Sequence, residues 1–373
     1  WVQRDAAANL LTIHPLIREL IWNELKPTAA EYDGFLQMIR QEDYLSTQEE
    51  NSRAMRKLDL AQCVLSLPIL PPSAGVAQAC CITGFHDFKR GRRLESIRFY
   101  DRGLSIYRLL SAENPQCLYR YAAESGTIGF LMSATNEYQP RSAELLRQAV
   151  AIWKRLEQEQ PGKYRVEYAT ACDNLGYQLS LSHDVATHRE AEAVLREALA
   201  IRQQLYQQDP GRFRRDYAWT ADNLGKVLTR DSGSFAEAEE LLRTALQLRE
   251  EMNRESGGKN ISEVAWTCHN LGQLLAKKPE YAAEAEQCYR TSIRLRQKLE
   301  QLSPGTHAAD TSWVMFWLAE LLSHDPARHA ETGELYCAAL EIQQKVEQEH
   351  PGMFVLNIDR IRERYESFRN GIQ

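Results

Sequence analysis

The feature that most constrains this chain is a repeat. Asn-Leu-Gly occurs three times, in "TACDNLGYQL" (170–179), "TADNLGKVL" (220–228) and "TCHNLGQLL" (267–275). The glycines fall at 176, 225 and 272, 49 and then 47 residues apart. Steps of similar length reach Gly129 and Gly84 upstream and Ala319 downstream, each inside a short apolar segment. Self-similarity at a fixed period in this range signifies stacked supersecondary units rather than one globular core.

A second string runs in phase with the first: "AEAVLREALAIRQQL" (191–205), "AEELLRTALQLREEM" (238–252) and "AEQCYRTSIRLRQKL" (285–299). Within it the triplets Ala191/Leu195/Ala198, Ala238/Leu242/Ala245 and Ala285/Tyr289/Ser292 have +4, +3 spacing, which places three residues on one helix face. Weaker versions are Ser96/Tyr100/Gly103, Ser142/Leu146/Ala149 and Thr332/Tyr336/Ala339. Small residues flank one large residue where two helices approach closely and a single side chain fills the gap. Each unit is therefore expected to be two antiparallel helices, A and B. The breakers "QPGKYR", "DPGRFR", "SGGKN", "SPGTH" and "HPGMF" each follow a B helix, and "NPQCLYR" marks the same point one unit earlier. Pro-Gly after a long helix is expected to stop it and turn the chain.

These residues resemble the tetratricopeptide repeat, which carries an early apolar or aromatic residue and Leu-Gly in helix A, then Ala…large…Ala in helix B. The match rests on Leu175-Gly176, Leu224-Gly225 and Leu271-Gly272 with the triplets, over roughly residues 76–355. The unit departs from the family pattern in length, about 47 residues against about 34, and is similar to the long-helix variety of the kinesin light chain and of bacterial signalling proteins. The resemblance implies an all-α, right-handed superhelix of helix pairs, about six units over 76–373.

Residues 1–30 and 31–75 do not fit the repeat. Ile13-His14-Pro15-Leu16-Ile17-Arg18-Glu19-Leu20 resembles the end of the winged-helix domain in STAND-class signalling ATPases, just before their superhelical repeats. That implies a small winged-helix remnant over 1–30, a helical arm and Pro-rich junction over 31–75, and an upstream ATPase domain as a possible partner in the same chain. The start at Trp1 rather than Met agrees with an expectation of a fragment or an excised domain. By the same resemblance His14 contacts nucleotide in the ATPase core; the alternative is a helix-entry histidine that packs locally. The chain itself has no GxxxxGK[ST] phosphate loop.

Composition narrows the function. Net charge is −6, with 26% charged and 43% hydrophobic residues, so the basic footprint of a nucleic-acid protein is lacking. No stretch has the roughly 18 apolar residues that a membrane helix needs. Eight cysteines include no CxxC pair, which disfavours zinc and thioredoxin-type readings. Reduced thiols in a cytoplasmic protein are expected. His183/His188 and His324/His329, each pair near an Asp, sit in A-to-B loops at a spacing poor for a shared helix face. They read as solvated loop residues rather than metal ligands. A non-catalytic binding protein without cofactor is expected.

The candidate binding residues lie on the A helices. Asn174, Asn223 and Asn270 each sit two residues before the motif Gly. The family resemblance makes such amides groove-facing, holding a peptide backbone through paired hydrogen bonds; the alternative is that they tie a neighbouring helix or loop together. Trp219, Trp266 and Trp313 recur at intervals of 47, either packing between repeats or offering apolar pockets to a partner. Around them lie Tyr177, Asp222, Lys226, Arg230 and His269, with Asp173 and Gln273. The functional expectation is a protein or peptide ligand in the concave groove, bound by the sensor region of a signalling ATPase or by a stand-alone adaptor.

Overall fold

Small residues at the motif positions bring helices into contact along this chain, as the computed structural model shows. It describes residues 2–5, 10–13, 72–133, 138–182, 184–349 and 355–372. The chain forms two compact units, Trp1–Ile128 and Gly129–Gln373.

The first unit begins with strands β1 (Val2–Asp5) and β2 (Leu10–Ile13), paired antiparallel with Val2 opposite Ile13. Of the winged-helix resemblance only Ile13 falls within the described residues; His14, the rest of that string and nearly all of the expected 31–75 arm lie outside them. Helix α1 (Ala74–Lys89) follows, capped by Ser73 Oγ, which accepts from the Val76 amide at 3.2 Å. It packs against α2 (Arg93–Leu110). Helix α3 (Pro115–Ser133) opens on the Pro of "NPQCLYR" and runs into the second unit.

The second unit continues with α4 (Gln139–Glu159), α5 (Arg165–Ser180), α6 (Val185–Gln208), α7 (Pro210–Leu228) and α8 (Phe235–Glu255). Then come α9 (Ile261–Leu275), α10 (Ala282–Leu302), α11 (Ala308–Leu322), α12 (His329–Glu349) and α13 (Val355–Ile372). Contacts run α5 to α6, α7 to α8, α9 to α10 and α11 to α12 within pairs. Between pairs, each B helix touches the next A helix, and α7 also touches α5 and α9 directly. That is the stacking expected of nearest-neighbour repeats.

The expected A/B crossing is where the triplets place it. All residues of the six triplets are buried. A Cβ added to Gly225 would lie 2.7 Å from Leu242 Cγ, and one added to Gly272 would lie 2.8 Å from the Tyr289 ring. Gly176 is closed in the same way by Leu195. Where the triplet carries Ser, its hydroxyl reaches helix A: Ser142 Oγ donates to the Gly129 carbonyl at 2.7 Å, and Ser292 Oγ donates to Ala265 at 2.7 Å.

The breakers do not all work in one way. Gly162, Gly257, Gly258 and Gly305 have positive φ, which suits glycine at the end of a helix. In "DPGRFR" the chain does not turn on Pro-Gly. Asp209 caps α7, accepting from the Arg212 amide at 3.1 Å, and Pro210 is its first residue. Proline is pre-organised for that position, so the next helix starts at once. "HPGMF" lies outside the described residues.

Candidate functional site

On α7, Trp219, Asp222, Asn223 and Lys226 follow one another at helical spacing, so they share one side, and Arg230 lies in the turn just beyond its end. Asp173, Asn174 and Tyr177 hold the matching positions on α5, and Trp266, His269, Asn270 and Gln273 those on α9. The side divides into a buried layer and a half-exposed layer.

The buried layer is a ladder of ion pairs between repeats, which the sequence reading did not anticipate. Arg202, on helix B, donates through Nε and Nη2 to Asp173 Oδ2 at 3.3 Å on its own helix A. It also donates to Asp216 of the next A helix at 3.1 Å, and Thr220 of that helix donates to Asp173 at 2.7 Å. One repeat on, Arg249 lies 3.4 Å from Asp222 and binds Thr267 and the Glu263 carbonyl of α9. The signal was available, since Arg202, Arg249 and Arg296 recur every 47 residues. Their side chains, at 3%, 1% and 5% exposure, are built into the core rather than solvated.

This ladder corrects four expected partner-binding residues. Asn270 donates to Asp222 Oδ2 at 3.0 Å across the repeat boundary. It is a tie, not a groove-facing amide. Asp222 is wholly buried beneath it. Asn223 is buried too, and its amide oxygen and nitrogen have no hydrogen-bond partner among the described residues. His269 occupies the ladder position that Asp173 and Asp222 hold, is buried, and sits 6.0 Å from the Tyr289 ring. Burial, helped by Arg296 and Lys226, pulls its pKa down to about 3. Arg296 donates to Asp310 of α11 at 2.7 Å, the counterpart of the Arg202–Asp216 contact. Burial pushes the Asp173 carboxyl the other way, up to about 6, against the opposing pull of Arg202 and Thr220. The four residues offer a partner almost no surface because helix A meets its neighbours there.

The half-exposed layer holds Asn174, Tyr177, Trp219, Trp266 and Lys226, with Arg230 exposed beyond them. Tyr177 and Trp219, from successive A helices, lie 6.0 Å apart. Lys226 Nζ rests 5.6 Å from the Tyr177 ring centroid and 5.5 Å from that of Trp266. The tryptophan column therefore packs between repeats while keeping an open side. Arg230 donates to the carbonyls of Ser182 at 2.6 Å and Ser180 at 3.4 Å, closing the end of α5.

Lys226 and Arg230 border a cleft of about 550 Å³ along the ends of the A helices. Its lining includes Lys226, Arg230, Lys277, Trp313, Trp317 and Arg360. Two columns, carried one step further than the sequence reading took them, supply much of it. Arg230 is followed at intervals of 47 by Lys277 and His324, and the tryptophan column ends at Arg360. Arg360 Cζ lies 5.4 Å from the Trp313 ring and 5.3 Å from the Trp317 ring. Glu320 is the one carboxylate in the lining, and Arg364 binds it at 2.6 Å.

The described residues contain no cluster of three or more His, Cys, Asp or Glu able to hold a metal ion. Asp184 and Asp325, beside the loop histidines, are helix caps: Asp184 accepts from Thr187 at 2.7 Å and Asp325 from Ala327 at 3.0 Å. His183 lies outside the described residues. The seven cysteines among these residues are free. Burial raises the pKa of Cys172 and Cys268 to about 12, so they are packing residues rather than nucleophiles. Among the described residues no helix is long and apolar enough to cross a membrane.

The tetratricopeptide repeat family model matches residues 218–253, the second half of α7 through most of α8. The chain is similar to the crystal structure of a Rap protein complexed with competence and sporulation factor. Identity there is 16% and the TM-score 0.44, over 95% of this chain and 98% of that one. No curated protein sequence matches. The described residues form an all-α helical repeat, apart from the short N-terminal hairpin, and residues 218–253 of it match the tetratricopeptide repeat model.

Proposed function

We propose that the second unit is a non-catalytic scaffold that binds a protein or peptide partner along the half-exposed side of its A helices. One observation carries this reading. The buried residues of that side are committed to ties between repeats, whereas Lys226, Trp313 and Trp317 keep accessible surface around a cleft of about 550 Å³, and Tyr177, Trp219 and Trp266 are half-exposed on the A helices. Concave, aromatic-lined sites with a few polar groups are the usual form of a recognition pocket. Asn174, half-exposed and next to Tyr177, is the one asparagine of the column with an accessible amide. The place of this scaffold as the sensor region of a larger signalling ATPase rests on the Ile13–Leu20 resemblance alone.

An immobilised library of extended peptides, probed with the purified chain, tests the proposal. A subset is expected to bind, and the double variant Trp313→Ala/Trp317→Ala is expected to lose that subset while remaining helical. Equal binding by wild type and variant would remove the cleft from the reading.

A further inference from the structure

Charge distribution narrows what this cleft can take, if it is the peptide site proposed above. The chain carries a net charge of −6. The cleft lining has the opposite sign: Lys226, Arg230, Lys277 and Arg360 against Glu320 alone. Arg364 already binds Glu320, and the Tyr336 hydroxyl donates to it as well. Of the four cations, Arg230 is engaged by backbone carbonyls. Lys226, Lys277 and Arg360 have no carboxylate within ion-pair distance among the described residues.

The contrast with the B helices is direct. There Arg147 meets Glu190 at 2.7 Å, Arg196 meets Glu237 at 2.5 Å and Arg243 meets Glu284 at 2.7 Å, while Arg290 pairs with Glu331. The arginines of that exposed ladder have anions in direct contact, whereas the three cations of the half-enclosed cleft have none in contact among the described residues, Asp222 and Asp231 acting on Lys226 and Lys277 only from farther off. Lys226 is the least comfortable of them. It is half-buried between the Tyr177 and Trp266 rings, and burial lowers its pKa against the opposing pull of Asp222, with Arg230 adding to the lowering. An ammonium removed from water is costly unless an anion or hydrogen-bond acceptor compensates it. Ring faces provide partial compensation, worth roughly 0.5–2 kcal/mol, and a carboxylate between the three cations would complete it.

We infer that the cleft binds an acidic peptide segment, its Asp or Glu carboxylates seated among Lys226, Lys277 and Arg360 and an adjacent apolar side chain against Trp313 and Trp317. A cleft of about 550 Å³ accommodates a short extended segment rather than a folded surface. The exposed Lys277 and Arg360 attract the segment from solution, and Lys226 fixes one carboxylate at depth. Binding of this kind weakens as salt rises, because exposed charges are screened beyond about 10 Å at 0.1 M ionic strength.

Fluorescence anisotropy with the purified chain tests the inference with three labelled peptides of one length. The first carries Asp and Glu around a Phe, the second Asn and Gln at those positions, the third Lys. The acidic peptide is expected to bind best and to weaken at high salt. Lys277→Gln and Arg360→Gln, both at exposed positions, are each expected to weaken it by about tenfold, the scale of one charged hydrogen bond, with the melting temperature unchanged. Lys226→Gln should do the same, and its melting curve checks that the fold is kept. Equal binding of acidic and neutral peptides, or variants that bind as wild type does, would overturn the inference while leaving the scaffold reading intact. Failure of all three peptides together with the whole library would sink both. Saturable binding of inorganic phosphate with no binding of the acidic peptide would also overturn it, making the cleft a small-anion site.

Discussion

At the scale of single residues, the recurring asparagine separates into different jobs. Asn270 supplies one of the donors to buried Asp222, so Asn270→Ala should destabilise by roughly 1–3 kcal/mol, the cost of depriving a buried acceptor of its partner. Asn223 has no partner among the described residues for either amide atom. Asn223→Ala should therefore cost less than Asn270→Ala, since it deprives no described group of a hydrogen-bond partner. Urea unfolding of the two variants side by side is the check, and equal losses would mean that both amides are ties. His269 adds a pH dependence. Its folded pKa of about 3 lies below its unfolded value near 6.5, so the folded state binds fewer protons between those limits. Its contribution is fully present above about pH 6.5 and is lost as pH falls towards 3. Asp173, raised to about 6 from 3.8, has the opposite slope: its contribution is complete below about 4 and disappears as pH rises through 6. His269→Gln removes only the first slope. The variant should melt near wild type at pH 7 and above it at pH 5, and an identical gap at both values would show that His269 is not the titrating group.

At the scale of the helix, the legible and illegible parts of the sequence divide by physics. Leu224 and Gly225 were readable because close packing imposes a size rule at fixed spacing, and Leu242, Ala238 and Gly272 obey it. The Asp173–Arg202 and Asp222–Arg249 pairs were not read, because a charged residue on a helix is normally solvated, and burial alone reveals their role. Arg360 was missed for a different reason. Its column was followed as a column of tryptophans, so a change of residue type concealed the continuity of position. The Pro-Gly at 210–211 was misread because the same dipeptide ends one helix elsewhere and begins one here. That difference gives a paired test. Gly225→Ala places a Cβ 2.7 Å from Leu242 and 3.2 Å from the Ala238 carbonyl, and overpacking of this kind costs roughly 1–3 kcal/mol. Gly211 lies within α7 without a positive φ, and its Cβ would meet only Asp209 Oδ1, at 3.5 Å. Gly211→Ala should stabilise by roughly 0.4–1 kcal/mol through the unfolded chain. Thermal melts of the two should move in opposite directions, and a loss in both would mean that Gly211 carries strain the backbone does not show.

At the scale of the molecule, the ladder bears on whether the repeats of the second unit unfold together. Stability in such arrays is approximately a sum of repeat and neighbour contributions, so cooperativity depends on each boundary. Arg202 and Arg249 are boundary clamps: each leaves a B helix, binds its own A helix and reaches the next one. The exposed B-helix pairs cross the same boundaries, but pairs of that kind are worth about 0–1 kcal/mol each. The buried clamp between α7, α8 and α9 should therefore dominate its boundary. Asp222→Ala leaves Arg249 buried without its carboxylate, a loss of roughly 3–5 kcal/mol, and removes the acceptor of Asn270 in the same step. A uniform loss would shift one transition. A loss concentrated at one boundary should instead split urea unfolding into two transitions, with repeats on either side of α8 and α9 melting at different midpoints. Trp153 and Trp219 report on one side, and Trp266, Trp313 and Trp317 on the other. Amide exchange followed by mass spectrometry should show α9 to α13 opening without α5 and α6. A single transition with an unchanged slope would mean that the apolar contacts of Leu224, Leu271 and Leu275 couple the repeats by themselves, and that the ladder fixes register rather than cooperativity.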